Sequence, residues 1–141
     1  MSKDLQERIV TILHKPQLAA LATITEMDNP WVRYVITVGD GNLVIRCATF
    51  TDSRKVAQIA KRPDVHLTCG VNSLAEMQPY LQIQGRATVS TSRDERYNFW
   101  NDMLTSIFVG PEDPRYAVII IEPYRIEYCT MTAAEPEIWT R

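Results

Sequence analysis

The stretch Leu43 to Lys61, LVIRCATFTDSRKVAQIAK, changes character in its middle. Leu43 to Ala48 reads as extended and Val56 to Lys61 as helical, so Thr49 to Lys55, TFTDSRK, must turn a strand into a helix. The turn carries three hydroxyls, one acid and two cations. A helix start exposes N–H groups and the positive end of the backbone dipole, and Arg or Lys adds charge-assisted hydrogen bonds, so such a junction can hold a phosphate. The same residues also suit an N-cap at Asp52 or Ser53 followed by a solvated basic turn.

Upstream, Trp31 to Val38 is strongly β-prone on both faces, with Trp31, Arg33, Val35 and Thr37 on one and Val32, Tyr34, Ile36 and Val38 on the other. Gly39-Asp40-Gly41-Asn42 is a hairpin turn, because glycine and asparagine accept the positive φ of tight hairpins. The next strand, Leu43 to Thr49, then pairs antiparallel, with Val38 opposite Leu43 and Arg33 near Ala48. That register brings Arg33 to the phosphate turn.

Leu5, Ile9, Ile12 and Leu13 form a helical stripe, with Ser2 as N-cap and Pro16 as terminator. Leu18 to Thr25 is a first strand, closed by a turn at Met27 to Pro30. Val56, Ile59 and Ala60 give a short helix ended by Pro63. Asp64 to Val71 and Pro79 to Ser90 are strands joined by a loop, and in the second Leu81, Ile83, Gly85, Ala87 and Val89 alternate with Tyr80, Gln82, Gln84, Arg86 and Thr88. Ser92 to Glu95 is a capping box, and Tyr97, Trp100, Leu104, Ile107 and Phe108 continue at helical spacing. Gly110 to Pro114 ends that helix, Tyr116 to Glu122 and Tyr124 to Met131 are two last strands, and 132–141 reads as a loose polar tail.

The 141 residues are the size of one domain, 1–141. Six or seven mostly antiparallel strands with a few helices describe a mainly β (α+β) small barrel with helices outside. Strands apolar on both faces exceed what a lone barrel needs, which predicts a homodimer covering the second face. Fifteen Lys and Arg against 17 Asp and Glu give a net charge of −2, so no global positive field points to nucleic acid or to a membrane. The longest apolar run, Tyr116 to Ile121, is six residues, against roughly 20 needed to cross a bilayer. Cys47, Cys69 and Cys129 form no C-x-x-C pair and read as reduced, mostly buried thiols of a cytoplasmic protein.

No constellation of side chains reads as catalytic or metal-binding. His14 and His66, the only histidines, fall on different elements, and the carboxylates sit where caps and solvated turns need them. If the chain is an enzyme, a bound cofactor carries its reactivity. The candidate site has a phosphate end at Arg33, Thr49, Ser53, Arg54 and Lys55, with Tyr34, Tyr80, Gln82 and Trp100 as aromatic or amide groups nearby. That mixture suits a flat ring with one phosphate tail. Trp100 equally suits the core, since it lies on its helix's apolar stripe, and Tyr80 and Gln82 equally suit the barrel surface.

In order and spacing, LAT at Leu21, NPWVRYV at Asn29, TFTDSRKV at Thr49, RPDV at Arg62, YLQIQGRA at Tyr80, Trp100 and GPEDP at Gly110 resemble the pyridoxamine 5′-phosphate oxidase-like flavoproteins, especially their general-stress-protein branch. The resemblance runs from the first helix to about Tyr128. It implies an antiparallel split β-barrel homodimer binding two FMN molecules at the subunit interface and acting as an oxidoreductase, with a role in stress response. Arg33 and Lys55 would be the phosphate cations, and Thr49, Ser53 and Arg54 their loop partners. Tyr34, Val35 and Ile36 would pass along the ring edge by backbone, and Trp100 would reach the flavin of the other subunit. Tyr80 stands where the vitamin oxidases carry glutamine, and Tyr124 to Arg141 holds no arginine-rich counterpart of their substrate-binding segment, so the oxidase reaction itself is not implied. Related barrels bind a deazaflavin or haem. The phosphate stretch favours FMN over haem and leaves the deazaflavin open, and non-catalytic flavin binding, storage or sensing stands as the alternative function.

Overall fold

The computed structural model describes residues 3–141; the expected Ser2 N-cap lies outside them. The element order is α1 (Lys3–Leu13), β1 (Gln17–Ile24), β2 (Pro30–Gly39), β3 (Ile45–Phe50), α2 (Arg54–Lys61), β4 (Asp64–Cys69), β5 (Tyr80–Ser90), α3 (Arg93–Phe99), a 3-10 turn (Asp102–Ser106), β6 (Tyr116–Cys129) and β7 (Glu137–Thr140). Strands neighbour one another in the order β3-β2-β1-β4-β5-β6-β7, and β3 also pairs with β6. That extra pairing closes six antiparallel strands into a barrel, as expected, with β7 continuing beyond β3 along the same edge of β6.

Strand alternation makes the core. In β5, Leu81, Ile83, Gly85 and Ala87 point inward while Gln82, Gln84, Arg86 and Thr88 face out. Leu21, Leu67, Ile83 and Ile119 are fully enclosed, and each such side chain stabilises the fold by roughly 1.5–3 kcal/mol. Helix α1 lays Leu5, Ile9 and Leu13 against this core. A second cluster, Leu104, Phe108, Tyr116 and Val118, covers the outside of β6 with the segment after α3. The first half of β6 is therefore apolar on both faces and covered on both.

The hairpin after β2 differs from the expected register. Asp40 accepts hydrogen bonds from the Asn42 and Val44 N–H groups, and its own N–H donates to the Val44 carbonyl, so the loop runs through Val44. Val38 pairs with Arg46 and Gly39 with Ile45, and no further pairs form. Leu43, expected to begin the strand, instead takes a φ of 66° with its side chain fully buried. The left-handed backbone costs a leucine about 1–2 kcal/mol, and burial of the side chain offsets it. Arg33 is thus not opposite Ala48. Strand β3 leaves β2 for β6, pairing Ile45 with Ile121 through to Phe50 with Tyr116.

Three other expectations are corrected. The two last strands are one, β6, which passes Pro123 through a register irregularity opposite Gln84 and Gly85. Proline has no N–H to give a ladder and is tolerated at such a bulge. A Cβ on Gly85 would lie 3.0 Å from the Glu122 carbonyl oxygen, so only glycine fits opposite. The late helix ends at Phe99: Asn101 is extended, and its side chain accepts the Met103 N–H to start the separate 3-10 turn. The tail 132–141 is not loose, because Glu137–Thr140 pairs with Arg125 to Tyr128, Trp139 is buried, and Glu137 binds Arg8 of α1.

Candidate functional site

The corner between β3 and α2 forms as its sequence requires. Ser53 is the N-cap residue, with extended backbone, but its hydroxyl caps nothing and lies 2.9 Å from the Thr49 hydroxyl. No acidic residue occupies the first turn of α2. The helix start therefore keeps N–H groups without a side-chain acceptor, and the dipole's positive end is uncompensated. The corner is tied down from outside by the Thr51 N–H, which donates to the Arg115 carbonyl at 2.8 Å. Arg115 is in turn fixed by Asp113, whose carboxylate accepts from the Val109 and Arg115 N–H groups and from the Arg115 guanidinium.

Arg33, on the inward-facing side of β2, reaches this corner across the barrel mouth. Its guanidinium donates to the Leu21 carbonyl at 3.2 Å, the Thr23 hydroxyl at 2.7 Å and the Gln58 side-chain oxygen at 3.1 Å. Thr23 in turn donates to the same Gln58 oxygen. Burial, then the neighbouring Arg54 charge, lowers the Arg33 pKa. Burial also lowers that of Lys55, with Cys47 opposing and Arg33 adding to the shift. Arg54 is exposed and stands over the Trp31 ring at 5.8 Å. Among the described residues, none of Arg33, Arg54 and Lys55 forms an ion pair. Three cations held near one another without a carboxylate favour an anion from solution.

A groove of about 370 Å³ leads away from this corner. One wall is Tyr34, Val35, Ile36 and Val38 of β2, the floor is Ala48, Thr49 and Phe50 with Lys55, and the other wall is Phe99, Asn101, Met103, Ile107 and Phe108. The groove exists because β2 pairs with β1 along its length but with β3 only at Val38 and Gly39. From Pro30 to Thr37 the other edge of β2 carries no strand, so its backbone groups are open to a ligand.

The structure thus brings together Arg33, Thr49, Ser53, Arg54 and Lys55 at one end and Tyr34, Val35 and Ile36 along one side. Tyr80, Gln82 and Trp100 lie outside this groove of their own chain. Trp100 is half-buried against Tyr116, ring centroids 5.6 Å apart. Tyr80 lines a neighbouring hollow with Leu18, Tyr34 and Thr68, and Gln82 is exposed on the outer face of β5 beside Cys129. Sequence reasoning missed the far wall: Ile107 and Phe108 read only as part of a helical stripe, and Phe99 and Met103 carried no signal that set them apart. It also missed Thr23 and Gln58, whose partnership with Arg33 joins three distant segments. No helix among the described residues is long and apolar enough to cross a membrane.

Known proteins share this fold. General stress protein 26 of Bacillus subtilis is 26% identical over 121 residues, 86% of this chain and 85% of that protein. The crystal structure of general stress protein 26 from Bacillus anthracis superposes with a TM-score of 0.83 at 28% identity, covering 97% of this chain and 98% of the other. A Clostridium acetobutylicum protein related to general stress protein 26 has the same fold, with a TM-score of 0.83 at 15% identity over 99% of this chain and 96% of the other. The family model for pyridoxamine 5′-phosphate oxidase matches residues 5–130, from the first helix to the end of β6, and on that match the chain belongs to the pyridoxamine 5′-phosphate oxidase family.

Proposed function

We propose that this protein is an FMN-binding oxidoreductase, a homodimer that passes electrons from a reduced donor, such as a nicotinamide cofactor, to a small acceptor. The observation that carries this reading is the division of one site into two chemistries: unpaired Arg33, Arg54 and Lys55 at one end, an apolar groove at the other. A flat ring with a phosphate tail matches both ends, and the residues present fit FMN. Arg33 and Lys55 hold the phosphate, with Thr49, Ser53 and Arg54 completing its shell. The open backbone of Tyr34, Val35 and Ile36 follows the ring edge, where donors stabilise negative charge. The bound flavin supplies hydride or electron acceptance; the chain binds, orients and shields it. A second copy supplies Trp100 from across the interface. Membership of the family does not bring the vitamin oxidase reaction, for the reasons read at Tyr80 and Tyr124 to Arg141. A place in a stress response follows the names of the relatives alone, and a cytoplasmic location rests on the reduced thiols read from the sequence.

One observation favours binding without turnover, as in storage or sensing: among the described residues, no carboxylate or imidazole lines the groove. Both readings make the purified protein yellow, with an extracted chromophore of the mass of FMN; a deazaflavin or haem mass would replace that cofactor assignment. Only the oxidoreductase is bleached by a nicotinamide donor and recoloured by an added acceptor. A bound flavin that no donor reduces would leave the binding protein standing.

A further inference from the structure

We infer that Gln58 and Thr23 are positioning residues that hold Arg33 as an uncompensated cation, and so set the preference of the site for a phosphate-bearing ring over the same ring without phosphate. This rests on the flavin reading above. A half-buried arginine on a strand is ordinarily steadied by a carboxylate, which fixes its geometry and cancels its charge together. Here the two effects are separated. Arg33 spends three hydrogen bonds on neutral acceptors, the Leu21 carbonyl, the Thr23 hydroxyl and the Gln58 amide oxygen. A guanidinium has five N–H donors, so two remain for a ligand.

The neutral acceptors are themselves locked. Thr23 is almost wholly buried in β1, and its hydroxyl accepts from Arg33 while donating to Gln58 at 2.5 Å. With two donors pointing at it, the Gln58 atom facing the pair has to be the oxygen, which settles the orientation of the amide. Gln58 stands one turn into α2, on the helix whose first turn carries Arg54 and Lys55. It therefore couples the cation on β2 to the two beside the helix start. A glutamate at this position would fill the same space and accept the same bonds, yet place a negative charge against Arg33 and repel an incoming phosphate. The choice of amide over acid, one atom different, is what leaves the charge of Arg33 free.

The test compares FMN with riboflavin, which has the ring and lacks the phosphate, by fluorescence titration of flavin-free protein. Wild type binds FMN more tightly than riboflavin. Gln58→Glu raises the Kd for FMN at least about ten-fold and that for riboflavin less than about two-fold, so the preference collapses. Gln58→Met, neutral and of similar size, loosens FMN less than the glutamate does. Thr23→Val loses part of the preference, and Thr23→Ser, which keeps the hydroxyl, restores it. A Gln58→Glu protein that keeps the wild-type ratio, or that loses both flavins equally, overturns the positioning role while leaving flavin binding intact as a reading. Wild type that does not distinguish the two flavins overturns the phosphate assignment itself, and this inference with it.

Discussion

A half-buried ammonium with no counter-ion costs free energy in the unliganded protein, and Lys55 is one. Its cost is recovered when an anion arrives. Removing the charge should therefore act in opposite directions on binding and on stability. Lys55→Ala, and Arg33→Ala beside it, each lose a charge-assisted contact of roughly 1.5–3 kcal/mol and should purify with much less flavin, read from the ratio of visible to ultraviolet absorbance. Lys55→Ala in flavin-free form should melt no lower than wild type. Full flavin occupancy in both variants would refute the site. Cys47, on the buried face of β3 near Lys55, has its thiol pushed up to about 12 by burial, with Lys55 opposing; it stays neutral at physiological pH and adds no charge to the corner.

Among the elements, the turn before β6 ties the corner down through the Arg115 carbonyl, which accepts the Thr51 N–H. The Arg115 guanidinium, followed by the Val109 and Arg115 N–H groups, holds the Asp113 carboxyl well below the usual carboxylate range. A group lowered in the folded state stabilises that state above its ordinary pKa, and the contribution fades as pH falls through the lowered value. Asp113→Asn should thus melt a few degrees below wild type at pH 7, and the gap should narrow as pH drops below about 4. A gap independent of pH would mean that shape rather than charge holds this turn. The N-cap at Ser92 was legible, and its hydroxyl does accept the Glu95 N–H. The expected box does not close, because the Ser92 N–H donates to the Ser90 hydroxyl and the Glu95 carboxylate pairs with Arg46. The break at Trp100 was not legible, because Leu104 and Phe108 keep helical spacing across it and periodicity alone cannot see Asn101 starting a new turn.

At the scale of the whole molecule, the outer face of β1 and β2 remains to be covered. Leu18 pairs with Ile36, Ala20 with Tyr34 and Ala22 with Val32, and Tyr34 and Val32 are 76% and 62% exposed. Contiguous apolar surface of this kind marks an association site, and the proposed dimer places its second copy there. Val32→Asp, outside the groove lining, should convert the dimer to monomer in sedimentation equilibrium while leaving the far-ultraviolet circular dichroism unchanged. An unchanged mass would move the interface elsewhere.

The alternation in β5, the stripe of α1, the turn at Asp40 and the cations of the β3–α2 corner were all readable in the chain, because each is set by neighbours within one or two turns of sequence. The register of Leu43, the closure of β3 on β6, the capture of Trp139 by the barrel and the grip of Thr23 and Gln58 on Arg33 were not. Each depends on residues tens of positions apart competing for the same core and the same hydrogen bonds. A local period says which face a side chain prefers. Only the closed barrel decides what that face meets.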